Sequence, residues 1–107
     1  MEPVIDWRSH AGSAVEKFFK STLWQGEHLM VGINCLETNQ VQKVHAHEGA
    51  DKIYFVLEGR VLFTIDEQQV EATAGMLVVA PAGKPHGVSN VGTERLSLLV
   101  TIATFSK

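Results

Sequence analysis

Residues 45–59 read HAHEGADKIYFVLEG, and residues 75–90 read GMLVVAPAGKPHGVSN. These two blocks carry most of the information on fold and site. His45 and His47 are two positions apart, and side chains at that spacing on a strand project from the same face. His86 follows the turn-forming run 81–83. Three imidazoles brought to one sheet face would form a facial ligand set for a divalent transition metal.

The second block resembles the second motif of the cupin superfamily, G-x5-P-x-G-x2-H-x3-N. Every fixed position of that motif is filled at the family spacing, by Gly75, Pro81, Gly83, His86 and Asn90. The resemblance covers about residues 30–104. It implies an all-β fold, a double-stranded β-helix or jelly-roll barrel, in a single cupin domain spanning 1–107 with residues 1–14 as an N-terminal extension.

The first block resembles the first cupin motif. His45 and His47 supply its two histidines and Gly59 its closing glycine, whereas Asn39 stands where the motif opens with a glycine. The resemblance implies that His45, His47 and His86 bind a divalent transition metal. Iron, manganese, nickel, copper and zinc all accept such ligands, so the metal's identity stays open.

Position 52 departs from the motif, because a lysine stands where the family has a glutamate ligand. A protonated Lys52 repels a divalent cation and cannot coordinate it, although burial would lower its pKa. Three arrangements remain open. Asp51 turns inward as a fourth ligand while Lys52 faces solvent; a metal rests on three histidines and water; or Lys52 fills the site and excludes metal. We expect the three-histidine site.

Short apolar segments separated by turn residues are typical of a sandwich or barrel. Residues 13–20 fit either a helix capped at Ser13 or a strand, and the resemblance favours a strand that turns at Gln25-Gly26-Glu27. The strands predicted beyond this turn are 29–36, 41–47, 52–57, 60–65, 69–72, 76–80, 87–90 and 95–105.

Alternation along a strand predicts which side chains face the barrel interior. If His45 and His47 point inward, Val41 and Lys43 share their face. On the next strand, the resemblance turns position 52 inward, and Tyr54 and Val56 follow it.

The alternate residues of that strand then face outward: Ile53, Phe55 and Leu57. Three large apolar side chains would make this face unusually hydrophobic for a monomer. Residues 4–7 add further apolar surface. We therefore expect a homodimer that buries this face.

Composition restricts the partners. The net charge is −3 and gives no basic face for nucleic acid. Cys35 is the single cysteine, so an internal disulfide is impossible and a reducing compartment is suitable. No apolar run reaches membrane-spanning length, and the acidic N-terminus is unlike a signal peptide. These features predict a cytoplasmic protein without nucleic-acid or membrane partners.

Two classes of function fit these residues. The first is a metal-dependent enzyme of dioxygenase, isomerase or lyase type, acting on a small oxygen-rich or carboxylate compound, with Lys52 and Tyr54 as catalytic candidates. The alternative is a non-catalytic module that binds or senses a small ligand and has a degenerate or empty metal site. A metal and a nearby ammonium would make the pocket locally positive, which favours a small anion or an enolisable oxygen compound, such as a carboxylate or a diketone.

Overall fold

The computed structural model describes residues 2–46 and 48–104. Within these ranges the fold is almost entirely β, as the motifs predict, with one short 3₁₀ helix at Trp7–His10. No helix in the described ranges is long and apolar enough to span a membrane. The strands are β1 Phe19–Gln25, β2 Leu29–Leu36, β3 Val41–His45, β4 Ala50–Glu58, β5 Arg60–Ile65, β6 Gln68–Thr73, β7 Leu77–Ala80, β8 His86–Asn90 and β9 Leu96–Thr104.

The strands form two antiparallel sheets. One sheet has the order β1-β2-β9-β4-β7, and the other has the order β3-β8-β5-β6. Side chains from both sheets meet in one core that includes Tyr54, Val56, Phe63, Leu96 and Leu98, each with no exposed surface. The predicted double-stranded β-helix is therefore confirmed.

The ambiguous N-terminal stretch enters β1 rather than a helix. Residues 13–18 form no regular element, and β1 begins at Phe19. The backbone N–H of Gly26 donates to the carbonyl of Leu29 at 2.8 Å and closes the predicted β1–β2 hairpin. Phe18 packs against the core, while Val15 is 98% exposed. Burial of the aromatic ring, not the possible cap at Ser13, determines the local structure.

Alternation along β4 is as predicted. Lys52 is 7% exposed, and Tyr54 and Val56 are fully buried, whereas Ile53 on the opposite face is 37% exposed. The pairing of β4 with β9 is regular from Ala50 to Val56, so nothing in this stretch reverses a side chain.

Strand β3 does not follow the predicted alternation. Gln42 pairs with Val88 and His45 pairs with His86, so three steps along β3 match two along β8. An irregularity of this kind is a β-bulge, and it reverses the faces of the residues before it. Gln42 therefore shares the inner face with His45. The prediction that Val41 and Lys43 would do so is wrong, and Val41 is 51% exposed.

Four motif positions, Asn39, Gly59, Gly75 and Gly83, have left-handed backbone. Asn39 has φ 71°, which explains how asparagine replaces the motif's opening glycine, because asparagine tolerates this conformation better than most residues. Gly59 has φ 92°, and a Cβ there would lie 2.7 Å from the carbonyl oxygen of Arg95. Glycine is thus required at the sharp turn between β4 and β5.

Asn90 fastens one end of the barrel. Its Nδ2 donates to the carbonyls of Leu36 at 2.8 Å and Glu94 at 2.9 Å, and its Oδ1 accepts from the N–H of Gly92 at 2.9 Å. The side chain therefore joins the end of β2 to the β8–β9 turn. Asn90 and His86 are at opposite ends of β8, so these hydrogen bonds lie away from the histidine pair.

A second polar group lies at the same end, on the outer face. Ser97 is fully buried and donates to the Glu58 carboxylate, and the thiol of Cys35 lies 3.5 Å from the Ser97 hydroxyl. Arg95 donates to Glu58 from Nε at 3.1 Å and to the carbonyl of Gly12 at 3.5 Å. These contacts tie β2, β4 and β9 to the N-terminal segment, so Glu58 is a structural acceptor.

Candidate metal and ligand site

β3 and β8 bring two of the three predicted metal ligands together. His45 and His86 are direct partners across the strands, and their ring centroids lie 4.4 Å apart at an interplanar angle of 59°. His86 is 2% exposed, and His45 is half-buried. The β-bulge is the cause, because it returns His45 to the inner face after Gln42 has occupied that face.

Both rings are held in the same way. Nδ1 of His45 lies 2.8 Å from the carbonyl oxygen of Lys43, and Nδ1 of His86 lies 3.0 Å from that of Lys84. A carbonyl oxygen can only accept, so Nδ1 carries the proton in each ring. The neutral imidazole then has its lone pair on Nε2, the tautomer that a metal-binding histidine needs when Nδ1 is bonded to backbone.

The third predicted ligand, His47, lies outside the described residues. Among residues 2–46 and 48–104, no group of three or more histidine, cysteine, aspartate or glutamate side chains could hold a metal ion. The structure thus brings His45 and His86 together, and the place of His47 beside them stays a prediction.

Positions 51 and 52 lie on opposite faces of β4. Asp51 is exposed, and its Oδ1 accepts a hydrogen bond of 2.9 Å from the backbone N–H of Ala82. This contact ties β4 to the Pro81-Ala82-Gly83 turn. Lys52 points to the interior. For Asp51 to become the fourth ligand, both side chains would have to exchange faces.

Lys52 is a buried amine beside an aromatic ring. Its Nζ lies 5.2 Å from the centroid of the Tyr54 ring. Burial, and secondly the positive charge of Lys20, lower the pKa of Lys52. In the described part of the chain, Lys52 has no salt bridge to a carboxylate. Among the described residues, no neighbouring anion therefore offsets the cost of charging this amine.

Tyr54 links Lys52 to the histidine pair. Its ring centroid lies 6.2 Å from that of His86 and 4.9 Å from that of Phe63. Its buried hydroxyl has no hydrogen-bond partner among the described residues, and burial raises its pKa. An acceptor that enters the barrel and takes a hydrogen bond from this hydroxyl would offset the cost of its burial.

A cavity of about 230 Å³ opens beside Lys52, between the two sheets. Its polar lining comes mainly from the inner faces of β1 and β2, and Val100 and Ile102 of β9 form an apolar wall. Gln42, brought inward by the β-bulge, lies on the side of the other sheet. Several members of the lining are not predicted from the sequence: Lys20, Ser21, Thr22, Met30, Gly32, Asn34 and Gln42.

Comparison with known proteins agrees with this fold. The sequence model of the cupin domain matches residues 32–102, which include both motif blocks. The chain belongs to the cupin family. Similarity to solved cupin-like structures also extends beyond the matched region. This cupin resembles a crystal structure of a protein from Thermus thermophilus with a TM-score of 0.92 and 38% identity, covering 96% of this chain and 98% of that one.

Two curated proteins show more distant similarity to this cupin. A protein of Methanocaldococcus jannaschii is 26% identical over 88 residues, covering 82% of this chain and 70% of the relative. An oxalate-binding protein of Thermotoga maritima is 32% identical over 59 residues, covering 55% of this chain and 49% of the relative.

Proposed function

We propose that this cupin is a metal-dependent enzyme that acts on a small carboxylate or another small oxygen-rich compound. His45, His47 and His86 hold the metal in this proposal, and the cavity beside Lys52 holds the organic ligand. The observation that carries the proposal is the adjacent His45–His86 pair, with each Nδ1 anchored on a backbone carbonyl.

The donor set suits a transition metal of borderline softness. Neutral imidazole binds zinc, copper, iron and nickel, and a bonded Nδ1 fixes the ring that presents Nε2. A divalent metal at this place would supply Lewis acidity for polarising a ligand oxygen. Lys52 opposes the binding of a cation when it is protonated, which is why its lowered pKa favours metal binding.

Charge in the cavity supports the choice of a carboxylate. Lys20 and Lys52 both line it, and no aspartate or glutamate is among its described lining residues. In a low-dielectric cleft, such nearby charges outweigh the net charge of −3 for the whole chain. The similarity to an oxalate-binding protein agrees with this choice.

The chain's own residues have distinct roles in this proposal. Lys52 and Lys20 attract the ligand's carboxylate, and the apolar wall of Val100 and Ile102 limits the access of water. Tyr54 donates its buried hydroxyl to an oxygen of the bound ligand. Lys52 and Tyr54 remain the catalytic candidates, because both are buried, Lys52 lines the cavity and the Tyr54 ring lies close to His86.

Elemental analysis of protein purified without a histidine tag tests the metal directly. We expect a transition metal at up to one equivalent per chain, lost in a His45→Ala variant and retained in His10→Ala, whose histidine is exposed on the 3₁₀ helix. If the protein retains no metal after metal is supplied, the metal-dependent enzyme is contradicted. The alternative function, a module that binds a small ligand without a metal, would then remain.

Lys52→Glu sharpens that test. The substitution restores the acidic residue of the family motif, removes a positive charge and adds an oxygen ligand, so metal affinity should increase. Lys17→Glu makes the same charge change at an exposed residue and should leave affinity unchanged. Equal affinities for the Lys52→Glu variant and the wild type would mean that Lys52 does not oppose the metal.

Ligand preference is tested by titrating oxalate and glucose against wild type and Lys52→Ala. We expect wild type to bind oxalate more tightly than glucose and Lys52→Ala to lose that preference. Equal oxalate binding by both proteins would remove the role of Lys52. A preference for glucose would point instead to carbohydrate binding.

We also infer that the chain forms a homodimer through the outer face of the β4 sheet. Ile53 pairs laterally with Val79, and Phe55 pairs with Leu77 and Leu99, so apolar side chains form continuous rows. Ile53, Leu77 and Val79 are 37%, 56% and 49% exposed. A second copy offers the same apolar surface, as a two-fold interface requires.

The N-terminal segment adjoins this face. Ile5 and Trp7 line an apolar groove together with Leu57 and Leu99. The segment therefore covers Leu57 within the same chain and extends the apolar surface. Light scattering at micromolar concentration should give a dimer, and Ile53→Lys should give a monomer, while Val15→Lys at a 98% exposed position should not. A monomeric wild type would refute the dimer. The cytoplasmic location stays a prediction from sequence.

A further inference from the structure

The amine of Lys52 has the buried environment that is typical of a nucleophilic lysine. Its side chain is 7% exposed, its Nζ lies near the Tyr54 ring, and in the described ranges no carboxylate forms an ion pair with it. An exposed lysine keeps its proton because water and counter-ions stabilise the charge. Desolvation beside another cation removes that support and leaves more neutral amine, which is the reactive form.

The cavity next to this amine provides partners for a reacting carbonyl compound. Lys20, which lines the same cavity and is exposed at its other side, supplies a positive charge for a carboxylate. Gln42 also lines the cavity, and its buried Oε1 has no hydrogen-bond partner in the described part of the chain. That oxygen can accept a hydrogen bond from the hydroxyl or the N–H group formed during addition.

We propose that Lys52 forms an imine with a small 2-oxo acid that enters this cavity. The Nζ lone pair forms a bond to the carbonyl carbon while the carbon–oxygen π pair moves to oxygen, and one amine proton is transferred to that oxygen. The resulting carbinolamine then loses its hydroxyl and the remaining nitrogen proton as water, and the C=N bond forms. Amine and carbonyl give imine and water, so no oxidant or reductant is required.

The two lysines explain why a 2-oxo acid is the ligand class. The carboxylate is attracted by the ammonium of Lys20, and the adjacent carbonyl carbon is brought to Lys52. An unsubstituted carboxylate such as oxalate shares the first interaction but has no ketone or aldehyde carbon to react. The inference uses the same cavity as the proposed function but does not depend on the metal.

Reductive trapping tests the imine in the wild-type protein. Pyruvate and sodium cyanoborohydride are added near neutral pH, the reaction is stopped early, and the modified lysine is located by peptide mass spectrometry. The reduced adduct adds the mass of pyruvate less one oxygen atom. We expect it at Lys52 ahead of the exposed lysines, and unchanged after treatment with a chelator, so loss of the metal proposal would not remove it.

Variants distinguish the site from general lysine chemistry. Lys52→Arg keeps a positive charge but has no primary amine, and the early adduct should be lost, whereas Lys17→Met should retain it. Mapping in the wild type decides the question even if Lys52→Arg folds poorly. Early labelling confined to exposed lysines, or no labelling, would overturn the imine. Labelling by acetone as fast as by pyruvate would overturn the 2-oxo acid as the ligand class.

Discussion

The two ends of this barrel treat buried polar groups in opposite ways. At the end formed by Asn90 and Ser97, each buried polar side chain has partners at hydrogen-bonding distance. At the end formed by Lys52 and Tyr54, the Tyr54 hydroxyl and Gln42 Oε1 are buried without a hydrogen-bond partner among the described residues. Both ends belong to the same sheets and lie a few residues apart along the same strands.

We infer from this difference that one end of the barrel stabilises the fold and that the other end binds the ligand. A satisfied buried polar group contributes about 0.5–1.5 kcal/mol per hydrogen bond, and an unsatisfied one costs about 1–3 kcal/mol. We therefore expect the end with Lys52 to reduce the stability of the folded chain, and a ligand that supplies partners for these groups would recover that cost. We call these the closed end, with Asn90, Ser97 and Glu58, and the open end, with His45, Lys52, Tyr54 and His86.

The largest expected effect is on metal affinity at the open end. His86→Ala removes a side chain that pairs directly with His45. Loss of a supporting group around a metal typically costs about 10–100-fold in affinity, so loss of a ligand should cost more than about 100-fold. Metal titration with a competing chelator measures this, and His10→Ala is the control. Unchanged affinity would show that the open end does not hold the metal.

Asn90→Ala should have the largest effect on stability. It removes hydrogen bonds to Leu36, Glu94 and Gly92 and leaves their backbone groups without this partner. We expect a loss of about 2–4 kcal/mol in the free energy of unfolding, measured in urea, with little change in metal affinity. Gln69→Ala, at an exposed amide of β6, should cost far less. Similar costs for both would contradict a structural role specific to the closed end.

Lys52→Met tests the cost of the buried amine through its pH dependence. Unfolding returns Lys52 to its ordinary pKa of 10.5, so between the lowered folded-state value and 10.5 the unfolded chain binds more protons. The stability that Lys52 contributes therefore increases with pH across this range. Near neutral pH the methionine variant should be the more stable protein, and the difference should shrink as the pH approaches 10.5. A difference independent of pH would contradict the buried charge.

The smallest expected effect is a difference in stability between two variants that each lose one buried hydroxyl group. Tyr54→Phe removes a hydroxyl without a partner among the described residues, so stability should change by less than about 1 kcal/mol or increase slightly. Ser97→Ala removes a hydroxyl bonded to Glu58 and close to Cys35 and should cost about 1–3 kcal/mol. Equal costs would mean that Tyr54 has a partner that stabilises it. Tyr54→Phe should also weaken oxalate binding if the hydroxyl contacts the ligand.

Much of the fold can be predicted because local signals agree with the family pattern. Strands 29–36 and 60–65 are predicted with the bounds that the structure gives, since each lies between clear turn residues. The inward direction of Lys52 and Tyr54 follows from alternation in a strand that is regular through those positions. The left-handed backbone at Asn39 agrees with the glycine that the motif has at this position, because asparagine tolerates that conformation better than most residues.

The site is less predictable where it depends on contacts between distant strands. Strand β3 contains no glycine or proline that would indicate its β-bulge. Simple alternation therefore assigns Val41 and Lys43 to the wrong face. Lys20 and Asn34 reach the cavity only because β1 and β2 join the sheet of β9 and β4. The order of the strands in the sheet cannot be read from the sequence alone. The closed-end contact of Cys35 with Ser97 likewise joins residues on paired strands β2 and β9.

The β-bulge also couples the length of β3 to the identity of one residue on its paired strand, β8. Gly87 lies opposite it, and a Cβ at Gly87 would come within 2.8 Å of the Val44 side chain and 3.2 Å of its backbone. Deleting Lys43 or Val44 would leave Gln42 and His45 two steps apart, and both would keep their inward faces in a regular strand. A single-residue deletion, which normally reverses a strand, would here preserve the lining and permit alanine at position 87. Strand length and glycine identity are thus expected to change together among relatives of this chain.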